Sequence, residues 1–180
     1  MPESQTPILY HYLASPYSEK LRLALGVARI QWGSVIVPAQ PPRPFLDVFL
    51  SGYRRIPVLQ IGAHFYCDSA LAFDALAEVS DRLKPAGHLS RTNELLRRHA
   101  EDRIFFAVIA AASPISVLRL LAQDLGLFGL FRFLKDRSDM MKGSTVEKLS
   151  QRAAARLVKD FVEQLNGLLK QDRFLGGADA

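Results

Sequence analysis

The spacing of apolar residues changes near residue 90, and this change constrains the fold more than any other feature of the chain. Before it, short apolar runs typical of β-strands alternate with segments of helical spacing; after it, only helical spacing occurs. The predicted order within the first eighty residues is β-α-β-α-β-β-α. Because a strand, a crossover helix and a second strand form a parallel, right-handed unit, this order predicts a mixed four-stranded sheet with helices on both faces.

The chain is therefore predicted to hold two domains, an α/β domain over residues 1–81 and an all-α helical bundle over residues 91–180. Residues 82–90 form the predicted linker, in which Pro85 and Gly87 mark the boundary.

The helical part of the sequence contains three predicted helices. The first covers residues 90–113, and the second begins at Pro114 and is interrupted near Gly126. The third covers residues 145–171, where apolar residues recur most regularly at steps of three and four.

Composition and charge narrow the class of protein. No apolar run is long enough to span a bilayer, and the N-terminus lacks the layout of a signal peptide. A single cysteine, Cys67, allows no internal disulfide, so a cytoplasmic location is expected. The excess of five positive charges lies in residues 81–180, where charges of both signs alternate along predicted helices. This pattern favours solvated helix faces over a nucleic-acid groove.

The tetrapeptide "SPYS", residues 15–18, follows the first predicted strand and begins a helix on which Leu21, Ala24, Leu25 and Ala28 share one face. Free backbone N–H groups and the helix dipole favour an anion at such a place, and a serine hydroxyl there can donate a hydrogen bond to a thiolate. Ser15 can equally be a plain helix cap, and on the tetrapeptide alone the cap is the better interpretation.

Two further motifs can likewise be interpreted either as parts of a binding site or as plain structural features. A cis Ile56–Pro57 bond would let the backbone of Ile56 pair with an extended peptide, whereas a trans proline would merely open a strand. Asp68 and Ser69 precede a helix, and a carboxylate with a hydroxyl and free N–H groups can hold an amino acid by both its charged ends. Either residue can instead be a cap.

Taken together and in this order, "SPYSEKLRLAL", "RRIPVLQIG" and "YCDSALAFDAL" resemble the thioredoxin-like N-terminal domain of the cytosolic glutathione transferase family. The helical second half and "RFLGG" near the end resemble that family's C-terminal domain. The resemblance implies glutathione as co-substrate, a hydrophobic electrophile as second substrate, a role in detoxification and a homodimer. It also implies a further capped helix after "FLGGADA", so the helical domain is either short or truncated.

The resemblance implies a role for each motif residue. Ser15 occupies the position of the residue that activates the glutathione sulfur. Ile56 and a cis Pro57 match the pair that binds the cysteinyl backbone, while Asp68 and Ser69 match the pair that holds the γ-glutamyl end. Arg43 is a weaker candidate for the glycyl carboxylate, from its place in the loop before the second helix.

Some residues depart from this pattern or have other interpretations. Serine at both ends of "SPYS" excludes dithiol chemistry from this loop, because an alcohol does not replace a thiolate nucleophile. Tyr12 or Tyr10 is an alternative catalytic residue, although strand alternation puts both on one face and favours core packing. His11 is interpreted as a structural strand residue, and Cys67 as a buried, inert thiol.

Two classes of function remain open at this stage. One is a glutathione transferase without a metal, and the other is a binding or regulatory module that keeps the fold and has lost catalysis. Ser15 does not separate them, because a serine supplies both a cap and a sulfur ligand. The nearly wholly apolar stretch 104–112 gives the homodimer some support of its own, because an all-apolar helix must be covered on all sides.

Overall fold

The computed structural model describes residues 6–84, 90–112, 114–142 and 149–170. Its contacts divide the chain into two compact units, Met1–Lys84 and Pro85–Ala180. Most of the predicted linker, including Pro85 and Gly87, lies outside the described residues, so the exact limits of the linker stay a prediction.

The first unit contains the predicted elements in the predicted order, which confirms the α/β thioredoxin-like fold class. The elements are β1 (Ile8–His11), α1 (Pro16–Ala28), β2 (Gly33–Ile36), α2 (Pro44–Asp47), β3 (Val58–Ile61), β4 (His64–Tyr66) and α3 (Ser69–Val79), followed by a 3₁₀ turn (Asp81–Leu83).

The four strands form one mixed sheet in the order β2-β1-β3-β4. β1 pairs with β2 in parallel, as the crossover through α1 requires. β3 is antiparallel to both β1 and β4. The hairpin between β3 and β4 turns at Gly62, whose φ of 61° lies in the left-handed region that favours glycine.

Two apolar clusters lie on the two faces of the sheet, because successive strand residues point to opposite sides. Leu9 and Leu59 face α1 and α3, and pack there with Leu21, Ala24, Leu25, Ala72 and Leu76. The other face carries the cluster Val37, Leu46, Leu50, Ile56 and Val58, against which Tyr10 and Tyr12 pack. The predicted apolar face of α1 is confirmed, since all four of its residues are buried.

Helix α2 is shorter than the apolar sequence "FLDVFLSG" indicates. It begins with Pro44 at its first position and ends at Asp47. Ser51 and Gly52, with φ values of 47° and 86°, then take left-handed conformations that end any helical continuation.

The second unit is helical, as predicted. Its first helix consists of α4 (Ser90–His99), a π-helical turn (Ala100–Ile104) and α5 (Phe105–Ala111). α6 (Pro114–Met141) is broken at Gly126, where φ is 68° and ψ is 169°, so the predicted interruption is confirmed.

The last helix begins later than its apolar period indicates. α7 (Gln151–Leu168) is capped by Ser150, whose hydroxyl oxygen accepts a hydrogen bond from the N–H of Ala153. Leu149 precedes this cap, and residues 145–148 of the predicted helix lie outside the described part of the chain. α7 packs against α5, with Ala107 and Ala154 both buried.

Within the described residues, no single helix is long and apolar enough to cross a membrane. Among the helices of this described part, one pair bent by 87°, Glu94–Ala111 and Ile115–Gln123, meets the length and composition requirement when the two are taken together.

Candidate functional site

The strand register brings the three sequence motifs to one edge of the sheet, meaning the boundary formed by the strand ends and not an outer strand. Tyr10 of β1 lies opposite Val58, the first residue of β3, and Leu59 lies opposite Tyr66, the last residue of β4. The chain therefore leaves β1, enters β3 and leaves β4 at the same edge. The Ile–Pro pair directly precedes β3, the Asp–Ser pair follows β4 after Cys67, and "SPYS" follows β1 after the short segment Tyr12–Ala14.

Ser15 caps α1. Its backbone is extended, and its hydroxyl oxygen accepts a hydrogen bond of 3.2 Å from the N–H of Ser18. The N–H of Ser15 donates to the carbonyl of Tyr12, and its carbonyl accepts from the N–H of Glu19. Only 2% of Ser15 is exposed. Its hydroxyl proton is donated to no acceptor in the described residues, so the capping interaction uses only the oxygen of this hydroxyl as an acceptor.

Ser18, the second serine of the motif, is completely buried in the first turn of α1. Its N–H is the donor to Ser15. Its own hydroxyl makes no hydrogen bond within the part of the chain that the structure describes.

The Ile56–Pro57 peptide bond is cis. The side chain of Ile56 is buried in the core cluster beside α2, which anchors this residue at the edge of the sheet. Its backbone N–H and C=O make no hydrogen bond with other residues that the structure describes. The pairing of Ile56 with a peptide backbone stays a prediction that this geometry permits.

Asp68, rather than Ser69, is the cap of α3. One oxygen of its carboxylate accepts a hydrogen bond of 2.7 Å from the N–H of Ala70, and Ser69 is the first residue of the helix. Both residues are half-buried.

Tyr53 and Arg55, which no sequence motif singled out, belong to the electrostatic surroundings of Asp68. Burial, followed by the negative charge of Asp68, raises the pKa of the Tyr53 phenol, and the charge of Arg55 opposes this rise. Tyr53 also packs against the core cluster beside α2. The signal that could have revealed it was its place in the loop that leads into β3.

Arg43 is buried, with 2% of its surface exposed. Its Nη2 donates a hydrogen bond of 2.6 Å to the carbonyl of Arg54, and its Nε lies 3.5 Å from the carboxylate of Asp47. Asp47 also accepts a hydrogen bond from the backbone N–H of Arg43. These contacts join the start of α2 to the loop before Ile56. A glycyl-carboxylate role for Arg43 stays a prediction and would require the guanidinium to become accessible.

Tyr10 of β1 and Tyr12, which follows this strand, pack as core residues. The hydroxyl of Tyr10 donates a 2.8 Å hydrogen bond to Oε1 of Gln60 on β3. Tyr12 packs on the same cluster beside α2. Both contacts agree with the core-packing interpretation of the alternating strand pattern.

The thiol of Cys67 is half-buried, and burial raises its pKa. It is therefore held in the protonated form, as expected of an inert thiol. Among the described residues, no group of three or more His, Cys, Asp and Glu side chains is arranged to bind a metal.

Residues 9–81 match the family model of the glutathione S-transferase N-terminal domain. The crystal structure of a GST-like protein from Pseudomonas syringae is 32% identical in sequence, with a TM-score of 0.53; the match covers 70% of this chain and 52% of that protein. The chain thus spans about half of this relative. A search of curated proteins finds no match.

Two more distant structures share the fold over nearly the whole chain. A glutathione S-transferase from Rhodospirillum rubrum F11 is 20% identical with a TM-score of 0.63, and the match covers 96% of this chain and 70% of that one. A glutathione S-transferase of Ceriporiopsis subvermispora, solved in complex with glutathione, is 12% identical with a TM-score of 0.63, and the match covers 92% and 76%. These matches support the glutathione transferase family: residues 9–81 match its N-terminal domain, and nearly the whole chain shares the fold of solved glutathione S-transferases.

Proposed function

We propose that this protein is a glutathione transferase in which the Ser15 hydroxyl stabilises the thiolate of glutathione. One observation carries the proposal: Ser15 uses its oxygen as the cap of α1 and donates its proton to no described residue. A sulfur at the start of α1 would receive that proton as a hydrogen bond and would also be favoured by the positive end of the helix dipole.

The other residues at this sheet edge suit the remainder of a tripeptide. The free backbone groups of Ile56 are proposed to pair with the cysteinyl residue, next to the cis Pro57. Asp68 and Ser69 are proposed to hold the ammonium and carboxylate of the γ-glutamyl end. The family resemblance alone supports Arg43 as the ligand of the glycyl carboxylate.

The proposed reaction begins with loss of the thiol proton of glutathione to solvent. The thiolate then attacks the electrophilic carbon of a hydrophobic substrate and forms a carbon–sulfur bond, and the leaving group departs with its electron pair. Ser15 lowers the energy of the anion by donating a hydrogen bond to it, and its hydroxyl forms no covalent bond.

Glutathione affinity chromatography, followed by a turnover assay with an aryl halide, tests the proposal. Retention with turnover supports the transferase. Retention without turnover supports the second candidate, a binding or regulatory module, which the capping contact of Ser15 alone would also satisfy. Absence of retention together with absence of turnover overturns both.

We also propose a homodimer in the cytoplasm with a role in detoxification, on the basis of family resemblance and the apolar stretch 104–112. Light scattering at micromolar concentration tests the dimer, and a monomeric mass would contradict it.

A further inference from the structure

Arg22 joins three parts of the first unit through hydrogen bonds of its guanidinium. Nη1 lies 2.9 Å from Nδ1 of His11 at the end of β1, and Nη2 donates to the carbonyl of Leu13 at 3.1 Å. Nε donates to the carboxylate of Glu19, in the first turns of α1, at 2.8 Å. Only 20% of the Arg22 side chain is exposed.

The partners of His11 determine which of its ring nitrogens carries the proton. A guanidinium has donors only, so Nδ1 of His11 must be the acceptor. The proton of the neutral ring is then on Nε2, which donates to Oγ of Ser34 on β2 at 2.8 Å. The ring is 1% exposed and makes an edge contact with Trp32.

The bonds to His11 and Leu13 enclose the short loop that carries Ser15. This loop runs from Tyr12 to Ser15, between the last residue of β1 and the first residue of α1. Arg22 lies on α1 and holds both the strand end and the middle of the loop. We call Arg22, the His11 ring and the Leu13 carbonyl the loop clamp.

We propose that Arg22 is a positioning residue for Ser15, acting through the loop clamp and only while His11 is neutral. The proposal deepens the proposed glutathione transferase function and rests on it. Its physical basis is that a displacement of about 1 Å in a catalytic group can reduce the rate by roughly a hundredfold. A clamp that fixes the loop at two points limits such displacement.

Protonation of His11 would open the clamp. A proton on Nδ1 removes the acceptor for Arg22 and puts two cations side by side in a buried place. Arg22 is the charged group that faces the ring from α1, with Glu19 beyond it, and β2 contributes only the neutral Ser34. Burial and the charge of Arg22 both lower the pKa of His11, so the clamp is closed at neutral pH.

The first test compares Arg22→Met and Arg22→Lys with the matched control Arg98→Met. Arg98 is an exposed arginine that is ion-paired with Glu94. We expect Arg22→Met to lower kcat about tenfold and to change the KM for glutathione by less than about twofold, because the clamp does not touch the other proposed ligands. Arg22→Lys, which keeps one donor group, should restore part of kcat, and Arg98→Met should have no effect. Unchanged kcat in Arg22→Met, or an increase in KM alone, overturns the proposal.

Glu19→Gln separates the clamp from the ion pair. It removes the charge opposite Arg22 and leaves the bonds to His11 and Leu13. We expect kcat within about twofold of the wild type, because an exposed ion pair contributes little. A loss equal to that of Arg22→Met would mean that the ion pair, rather than the clamp, holds the loop, and would overturn the proposal.

Hydrogen exchange provides a readout that does not depend on turnover. In Arg22→Met, the backbone amides of residues 12–15, 17 and 18 should exchange faster, whereas those of β3 should not. Protection equal to the wild type overturns the clamp even if the enzyme is active. If the wild type neither binds glutathione nor turns over substrate, the proposed function fails, and the exchange experiment still decides whether the clamp exists.

The role of His11 is tested by His11→Asn, whose side-chain oxygen can accept from Arg22 and does not titrate. Because the pKa of His11 in the folded protein is lowered from 6.5, the wild type should lose kcat at a pH below that value, through a protonation step that His11→Asn lacks. Circular dichroism at each pH establishes that both proteins remain folded. Identical acid limbs in the two proteins overturn the dependence on neutral His11.

Discussion

Replacing Ser18 by alanine should stabilise the protein, although Ser18 lies in the motif that begins α1. The side chain is fully buried and its hydroxyl has no hydrogen-bond partner in the described residues. Leaving a buried hydroxyl unpaired costs about 1–3 kcal/mol, and alanine is better than serine in a helix by roughly 0.5 kcal/mol. The lost contacts of one oxygen atom offset part of this gain. We therefore expect Ser18→Ala to raise the free energy of unfolding by about 1–2 kcal/mol.

Ser15→Ala is the matched control for this prediction. The N–H of Ser18 remains after either substitution, but only Ser15→Ala removes the oxygen that accepts the hydrogen bond from this N–H. Loss of an N-cap lowers stability by about 1 kcal/mol, so the two alanine variants should move stability in opposite directions. Urea unfolding without glutathione, followed by far-ultraviolet circular dichroism, measures both. If Ser18→Ala is destabilising, its hydroxyl has a bound water or another partner, and the reasoning from an unpaired donor is wrong.

Further predictions concern the site and its titrating groups. Ser15→Ala should reduce turnover by roughly one to three powers of ten and weaken glutathione binding less. Asp68→Ala should weaken glutathione binding more than it reduces turnover. Kinetics and calorimetry on both variants measure the two quantities, and equal losses of turnover and of binding in both variants would contradict separate roles. His11 has a lowered folded pKa, so as the pH falls below the unfolded value of 6.5 the unfolded chain takes up the proton first and stability declines until the folded pKa is reached. Urea midpoints should therefore fall between neutral and acidic pH in the wild type and fall less in His11→Asn, and parallel curves would contradict this. Hydrogen bonds from Arg97 and Arg98 lower the pKa of Glu94 to about 2. A carboxyl titration by NMR should therefore find Glu94 still ionised at a pH well below the usual pKa range of a glutamate. The pKa of Glu94 should be higher in Arg97→Met. A Glu94 pKa that does not respond to that substitution would exclude Arg97 as the main cause.

Periodicity explains why most of the fold was predictable from the sequence. The apolar face of α1 and the strand runs depend on spacing within one element, and both agree with the structure. The ends of elements were less predictable because they depend on single backbone conformations. α2 ends before Ser51, a non-glycine residue with a positive φ. α7 begins where it does because the Ser150 side chain caps its first turn.

Within the candidate site, the residues that belong to the three sequence motifs were predictable from the sequence. The three motifs and their meeting at one sheet edge follow from the order of the strands. The loop clamp was not predictable, because His11 and Arg22 are 11 positions apart on different elements. Their contact requires that β1 turn His11 toward α1 and that the ring keep its proton on the far nitrogen. No local pattern contains that information, and the sequence indicates only a structural strand residue at His11.

The π-helical turn between α4 and α5 allows the first helix of the second unit to lose one residue without turning Ala107 away from α7. Such a turn contains one residue more than an α-helical turn needs. The wider turn takes up this residue, so the helices before and after it keep nearly the phase of an uninterrupted α-helix. Deleting one residue of Ala100–Ile104 should therefore restore regular α-helical hydrogen bonding and leave Ala107 buried where α5 packs against α7. Relatives should differ here by the presence or absence of one residue more readily than elsewhere in this helix.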